Sequence, residues 1–235
     1  MNEGDLAMKI FFVRHGHPDY KNDCLTELGR KHAQAAAERL KNSGITKIYA
    51  STNGRAFETA EYTARELGLS ITPYDFMREM RWGSSDGEPI LVDGSPWLLA
   101  EIYASEGRDL WNPAWRSCDP FCRSRVVESI ETVRNGIDTW LEELGYKREG
   151  AYYRVVGDAT DKTVAMFSHG GSSSAALSHL FHIPFPQFCG MFHLVFTCVT
   201  VVELSNEQGK LVYPKLISSD ANHIVGLETK SGPPA

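Results

Sequence analysis

The sequence contains no apolar run that approaches the roughly 20 residues a membrane-crossing helix needs. Its opening stretch, Met1 to Met8, is acidic, where a secretory leader carries a basic region followed by an apolar one. Cysteine is scarce. Cys24, Cys118, Cys122, Cys189 and Cys198 are odd in number and scattered, which suits reduced thiols in a cytoplasmic compartment better than a disulfide framework. Cys118 and Cys122 have no second ligand pair at zinc-finger spacing, so no metal is expected there. Positive charge is in deficit, with a net charge of −6, so neither nucleic acid nor an anionic membrane is an expected partner. A small basic pocket for an anionic ligand remains compatible with that balance. Internal repeats and low-complexity tracts are lacking too.

What is present is an ordinary globular composition, 42% apolar and 23% charged over 235 residues. The order of patterns predicts an α/β fold: a three-layer α/β/α sandwich on a mostly parallel sheet, formed by one domain over residues 1–235 with a helical cap insertion at about 84–146. Lys9 to Val13 reads as a buried strand that stops at polar Arg14-His15-Gly16. Thr26 caps a helix whose apolar residues recur to Leu40, before Asn42-Ser43-Gly44 ends it. Ile45 to Ala50 gives a second strand, and a second helix carries Ala56, Ala60, Ala64 and Leu67 to Gly68. Leu69 to Tyr74 is a third strand, which Pro73 confines to an edge or an early stop. Two helical stretches follow, Trp97 to Glu106 and Arg123 to Leu144, the second with a wide apolar stripe of the kind that packs on a core. Thr163 to Phe167 is again a strand, leading through Ser168-His169-Gly170-Gly171 into a helix. Phe192 to Leu204 and Leu211 to Ile217 are expected to close the sheet as a hairpin. The tail from Lys230 to Ala235 is expected to fray.

Ligands of open α/β sheets lie beyond the carboxyl ends of the strands, and two of these strands end in histidine, His15 and His169. After His169, Gly170 and Gly171 open a helix, so free backbone N–H groups and the positive end of the helix dipole would face the same crevice. Arg14 and Arg55 add planar guanidinium forks suited to phosphoryl oxygens. Taken singly, each feature has an ordinary reading: a surface histidine, an ion-paired arginine, a glycine turn. Their convergence is the signal.

Phe12-Val13-Arg14-His15-Gly16 resembles the signature of the histidine phosphatase, or phosphoglycerate mutase-like, superfamily. Leu25 to Arg30, Ala50 to Ala60, Met77 to Gly83 and Phe167 to Gly171 resemble further segments of that family in the same order, and Ser219 to Ile224 its closing segment. The resemblance implies His15 as nucleophile, Arg14, Arg55, His169 and Gly170 as the phosphate seat, and Glu79 as proton donor, with Asp86 and Glu88 as neighbouring acids. It implies hydrolysis of a small-molecule phosphate monoester through phosphohistidine, with no metal or other cofactor. His17 stands where the family commonly has a small polar residue and reads as a rim residue.

Two other functions fit the same residues. A mutase would return the phosphoryl group to a bound product, but such enzymes usually follow the triplet with Glu-Ser and soon Trp-Asn, where this chain has His17-Pro18-Asp19-Tyr20. A binding scaffold would keep the pocket without turnover, although all five catalytic positions are filled by competent side chains. Trp82, Trp97, Trp111 and Trp115 serve either a satellite core or a substrate wall. Arg108, Arg116, Arg123 and Arg125 face enough nearby carboxylates for ordinary pairing. Substrate identity and oligomeric state are left open.

Overall fold

The computed structural model describes residues 7–157 and 162–227. The expectations for Met1 to Leu6 and for the tail from Lys230 lie outside the described residues. Eleven strands and six α-helices are formed among them, in the order β1 (Ala7–Arg14), β2 (Pro18–Asp19), β3 (Cys24–Leu25), α1 (Glu27–Leu40), β4 (Lys47–Ser51), α2 (Gly54–Leu67), β5 (Ile71–Tyr74), α3 (Pro96–Ser105), α4 (Val126–Glu143), β6 (Tyr146–Glu149), β7 (Tyr152–Val155), β8 (Lys162–Ser168), α5 (Gly170–Leu180), α6 (Phe185–Met191), β9 (Val199–Ser205), β10 (Leu211–Val212) and β11 (Lys215–Asp220). The central sheet runs β11-β9-β1-β8-β4-β5. Strands β1, β8, β4 and β5 are parallel, while β9 and β11 add an antiparallel edge.

Alternation along the strands sends side chains to two cores, because successive residues of a strand point to opposite faces. Met8, Ile10 and Phe12 of β1, with Val164 and Met166 of β8, meet α4, α5 and α6. Val13 of β1, with Ala165 and Phe167 of β8, faces the small residues Ala60 and Ala64 of α2 and Leu40 of α1. Alanine there lets the helices lie close. The stripe of α4 packs as its spacing implies: Trp140 meets Phe12 and Tyr49 edge-on, with ring centroids 6.3 and 5.3 Å apart. Thr26 accepts a hydrogen bond from Gly29 N at 3.1 Å and so caps α1. Gly68 ends α2 in the left-handed region at φ 67°, which costs glycine nothing.

Pro73 sits on β5, the edge strand, where its missing donor is harmless. The hairpin expected from Phe192 onward begins later. β9 starts at Val199, and residues 192–198 leave the sheet because Leu194 is buried against the larger core and Phe196 against the site's rings. β10 pairs with β7, not β9, forming a small three-stranded sheet with β6 that the hydrophobic pattern did not disclose. Within 84–125, α3 and two short 3₁₀ turns gather their aromatic rings together. Trp97 and Trp115 are buried, Trp82 meets Trp97, and Trp115 meets Phe121, while Trp111 is exposed.

Candidate active site

Parallel pairing of β1 and β8 brings Arg14 opposite Ser168, so His15 and His169 leave the sheet side by side at one edge. His15 N–H donates to Ser168 O at 2.9 Å, and the two imidazoles lie 5.1 Å apart. Strand β4 ends at the same edge and delivers Ser51, Asn53 and the start of α2 with Arg55. Arg14, His15, Arg55 and His169 are all buried, and Glu79 is partly buried. The nearest ring nitrogens of His15 and His169 and a carboxylate oxygen of Glu79 fall within 4.8 Å of one another. All five side chains expected to form the site are thus gathered at one edge.

The proton on His15 has an assigned place. Its Nδ1 lies 2.7 Å from Gly16 O, and a carbonyl only accepts, so Nδ1 carries the hydrogen and Nε2 the lone pair. Arg55 Nε–H donates to that lone pair at 3.3 Å. Burial, then the Arg14 charge, holds His15 well below the ordinary imidazole range, so it is neutral near pH 7. His169 is held down in the same direction by burial, then by His15 and the two arginines. Ser51 Oγ accepts from Asn53 N–H at 3.1 Å and lies 2.9 Å from His169 Nε2. His169 Nδ1 is a buried atom with no hydrogen-bond partner. Arg14 Nε is likewise buried without one, although Arg14 Nη1 donates to Leu194 O at 2.6 Å. An orphaned guanidinium donor beside a neutral imidazole suits an anion, since buried polar groups otherwise carry a desolvation cost.

Glu79 occupies a position the sequence did not disclose. Its Oε1 accepts from Gly171 N at 3.1 Å and from Met80 N at 3.0 Å, so the opening amides of α5 are partly taken by this carboxyl, where free donors were expected. The close approach depends on glycine, because a Cβ at Gly171 would stand 2.6 Å from Glu79 Oε1. A Cβ at Gly170 would touch the Arg14 guanidinium at 3.4 Å. Burial raises the Glu79 pKa despite the opposing pull of Arg14. Asp86 bonds Ser84 Oγ and Glu88 N in an exposed turn, and Glu88 is exposed.

Several positioning residues went unread in the sequence. Asp23 Oδ1 pairs with Arg55 Nη1, and its Oδ2 accepts from Gly54 N at 2.9 Å, so a distant loop caps α2 in place of Asn53. Asn53 instead spans the site: its Nδ2 donates to Asp23 at 3.1 Å and its Oδ1 accepts from Glu79 N at 3.1 Å. Thr59 Oγ1 accepts from Gly16 N at 3.1 Å. Phe196 lies under the Arg14 guanidinium, 4.5 Å from ring to charge, and against the rings of His15 and His17. His17 bonds Thr26 Oγ1 at 2.9 Å. The closing segment braces this loop: His223 bonds Thr197 Oγ1 at 3.1 Å, and Thr197 N–H donates to His15 O at 3.2 Å. The adjacent residues Asn22-Asp23, in the turn before Thr26, were the available sequence signal for Asp23; Phe196 was hidden in an apolar run that resembled a strand.

Fold and site together define an α/β protein with paired neutral histidines and two arginines at the carboxyl edge of a mostly parallel sheet. The chain belongs to the histidine phosphatase superfamily (branch 1), whose family model matches residues 10–216. It is similar to the probable phosphoglycerate mutase GpmB of Yersinia pestis, with 32% identity over 186 residues that cover 75% of this chain and 76% of that one. Among solved structures it resembles a mycobacterial glucosyl-3-phosphoglycerate phosphatase, at a TM-score of 0.60 and 22% identity over 90% of this chain and 97% of that one. It also resembles the phosphoserine phosphatase of Entamoeba histolytica, at a TM-score of 0.56 and 19% identity over 91% and 96%. No helix among the described residues is long and apolar enough to cross a membrane.

Proposed function

We propose that the protein is a phosphatase that hydrolyses a small-molecule phosphate monoester through a phosphohistidine on His15. The observation that carries this reading is the His15 ring itself: neutral, proton-bearing at Nδ1, and with its Nε2 lone pair facing the Arg55 guanidinium at 3.3 Å. In the first step Nε2 attacks phosphorus in line and the ester P–O bond breaks; the Nδ1–H bond to Gly16 O steadies the positive charge that develops on the ring. Arg14, Arg55, His169 and the Gly170 amide stabilise the phosphoryl oxygens. Glu79, whose pKa burial raises, gives the leaving oxygen its proton. In the second step Glu79 takes a proton from water, the water oxygen attacks phosphorus, and the P–N bond breaks with its electron pair returned to Nε2.

The trio His15, Glu79 and His169 has the spacing of a metal site. Arg14 and Arg55 lie against it, and their charge favours an anion there over a divalent cation. Turnover is therefore expected to persist in chelator. Relatives include a probable phosphoglycerate mutase and two proteins named as phosphatases, so a mutase reading has support from the first. The two diverge in the fate of the phosphoryl group. The phosphatase reading predicts stoichiometric inorganic phosphate from a phosphate ester; isomerised ester without phosphate release would establish the mutase, and no more hydrolysis than a His15→Ala control would leave a binding protein.

A further inference from the structure

The loop that leads into β9 grips the Arg14-His15 pair. Arg14 N–H donates to Cys198 O at 3.1 Å, and Arg14 Nη1 donates to Leu194 O at 2.6 Å. Thr197 N–H donates to His15 O at 3.2 Å, while the Phe196 ring lies under the Arg14 guanidinium and against the His15 imidazole. Residues 194–198 thus set both the guanidinium of the phosphate seat and the backbone of the residue read as nucleophile.

The grip has an unfavourable backbone at its centre. Cys198 N–H donates to Val195 O at 3.0 Å and closes a turn over residues 195–198, whose third residue is Thr197 at φ 50°. A turn with positive φ at that position is ordinarily built with glycine or asparagine, since a β-branched side chain crowds the backbone there. Thr197 is β-branched and fully buried. Strain of this kind persists only where the surroundings over-determine it.

The closing segment supplies those surroundings. His223 Nε2 lies 3.1 Å from Thr197 Oγ1, and its Nδ1 lies 3.0 Å from Arg39 Nη1. A guanidinium only donates, so Nδ1 holds the lone pair and Nε2 carries the hydrogen that Thr197 Oγ1 accepts. Burial, then the Arg39 charge, lowers the His223 pKa to about 4, so the ring is neutral near pH 7, as that tautomer requires. Thr197 passes its own hydroxyl hydrogen to Phe196 O at 2.9 Å, so its side chain is held as acceptor and as donor. Arg39 is fixed in turn by Asp220, which it holds through both terminal nitrogens at 2.8 and 2.9 Å. A line of side chains from α1 and the closing segment therefore ends on the hydroxyl of the strained residue.

We propose that His223 is a positioning residue for phosphoryl transfer: by holding the Thr197 hydroxyl it keeps residue 197 in the left-handed conformation that sets the grip on Arg14 and His15. Where turnover is the readout, the proposal rests on the phosphatase reading. Without the bond, Thr197 relaxes toward negative φ and its N–H leaves His15 O. Glycine adopts positive φ at no steric cost and needs no such holding. The importance of His223 thus depends on which residue stands at 197, a dependence that a merely structural bond does not share.

The experiment is a double-mutant cycle read by steady-state kinetics on p-nitrophenyl phosphate: wild type, His223→Ala, Thr197→Gly and the pair. His223→Ala is expected to lower kcat by about tenfold or more with KM within about threefold, because displaced groups cost rate more than ground-state binding. Thr197→Gly keeps the backbone N–H and is expected to stay several-fold faster than His223→Ala. In the Thr197→Gly background, His223→Ala is expected to cost less than about twofold. Thr197→Val removes the hydroxyl but keeps the branched Cβ, and leaves His223, Arg39 and Asp220 in place; it is expected to match the kcat loss of His223→Ala. Equal fractional losses from His223→Ala in both backgrounds overturn the proposal. So does a Thr197→Gly variant as slow as His223→Ala, a Thr197→Val variant at the wild-type rate, or a lowered Tm with unchanged kcat in His223→Ala. Should the wild type turn over no ester, the phosphatase reading alone fails, and the grip is read from the imidazole ¹⁵N shifts of His15. His223→Ala is expected to move those shifts and the double variant to return them toward wild type; shifts unmoved in His223→Ala overturn the positioning role.

Discussion

At the scale of single residues, the chemistry turns on two protonation states set by burial. His15 is neutral because its pKa is lowered, and Glu79 is protonated further up the pH scale because its pKa is raised. The activity that needs a neutral His15 is present above its lowered pKa and is lost only as pH falls through it. The activity that needs a protonated Glu79 is present below its raised pKa and declines as pH rises through it. A kcat/KM profile should therefore extend into mildly acidic pH and fall on the alkaline side, and Glu79→Gln should abolish that alkaline limb. The same variant is expected to lose about 10²-fold or more on alkyl esters, and clearly less on p-nitrophenyl phosphate, whose leaving group needs no proton. An equal loss on both would remove Glu79 from the role of acid. His15→Ala should lower kcat by about 10³-fold or more, because deleting a nucleophile leaves only binding and electrostatic stabilisation.

At the scale of elements, the site depends on contacts between segments far apart in sequence. The two ends of the Asn53 amide hold Asp23 and the backbone of Glu79, so Asn53→Ala should displace both the partner of Arg55 and the acid. Expected is a kcat fall of about tenfold or more together with a flattened alkaline limb, since misplaced groups cost rate out of proportion to their distance. Loss of stability with an unchanged pH profile would reduce Asn53 to a structural bond. Gly171→Ala puts a methyl 2.6 Å from Glu79 Oε1 and should likewise lower kcat more than it raises KM. Thr26→Ala removes the cap of α1 together with the bond to His17 and should cost about 1 kcal/mol in urea unfolding, as a lost N-cap does. The strands and helices that carry His15, Arg55 and His169 were legible because their apolar periods are strong and each ends in a sharp polar stop. β6 and β7 were not legible, and β10, read as part of the Leu211 to Ile217 strand, was given the wrong partner: strands of two to four residues have too few alternations to read, and their pairing is set by tertiary contact. Phe196 and Leu194 misled for the opposite reason, being apolar for the sake of the site and the core, not a ladder.

For the whole molecule, the sheet order explains why Arg14, His15, Arg55 and His169 could be read together from the sequence, whereas Glu79 came only through the family resemblance and the supports of the site went unread. β1, β8 and β4 are neighbours and parallel, so polar stops that are distant in sequence meet at one edge. Asp23 and Asn53 carry no such pattern; they matter only because α2 begins against the loop that follows β2. The burial that neutralises the histidines also ties stability to pH. His15, His169, His179 and His223 all have folded pKa values below the ordinary one, that of His223 lowered to about 4. Their contribution is full above the unfolded value of about 6.5 and is lost as pH falls below it, because the unfolded chain then binds more protons. Glu79, with a raised value, acts in the reverse sense, but it is one group against four. Thermal unfolding should therefore show Tm declining from pH 7 to pH 5, with a shallower decline in His15→Asn; a Tm that rises over that range would contradict the neutral assignment. The most direct test of the central claim is to quench the protein during turnover, digest it under alkaline conditions that preserve phosphohistidine, and locate the phosphoryl group by mass spectrometry. Phosphate is expected on the peptide containing His15 and none in His15→Ala; phosphate on His169 or on any other residue would contradict the assignment of His15 as nucleophile.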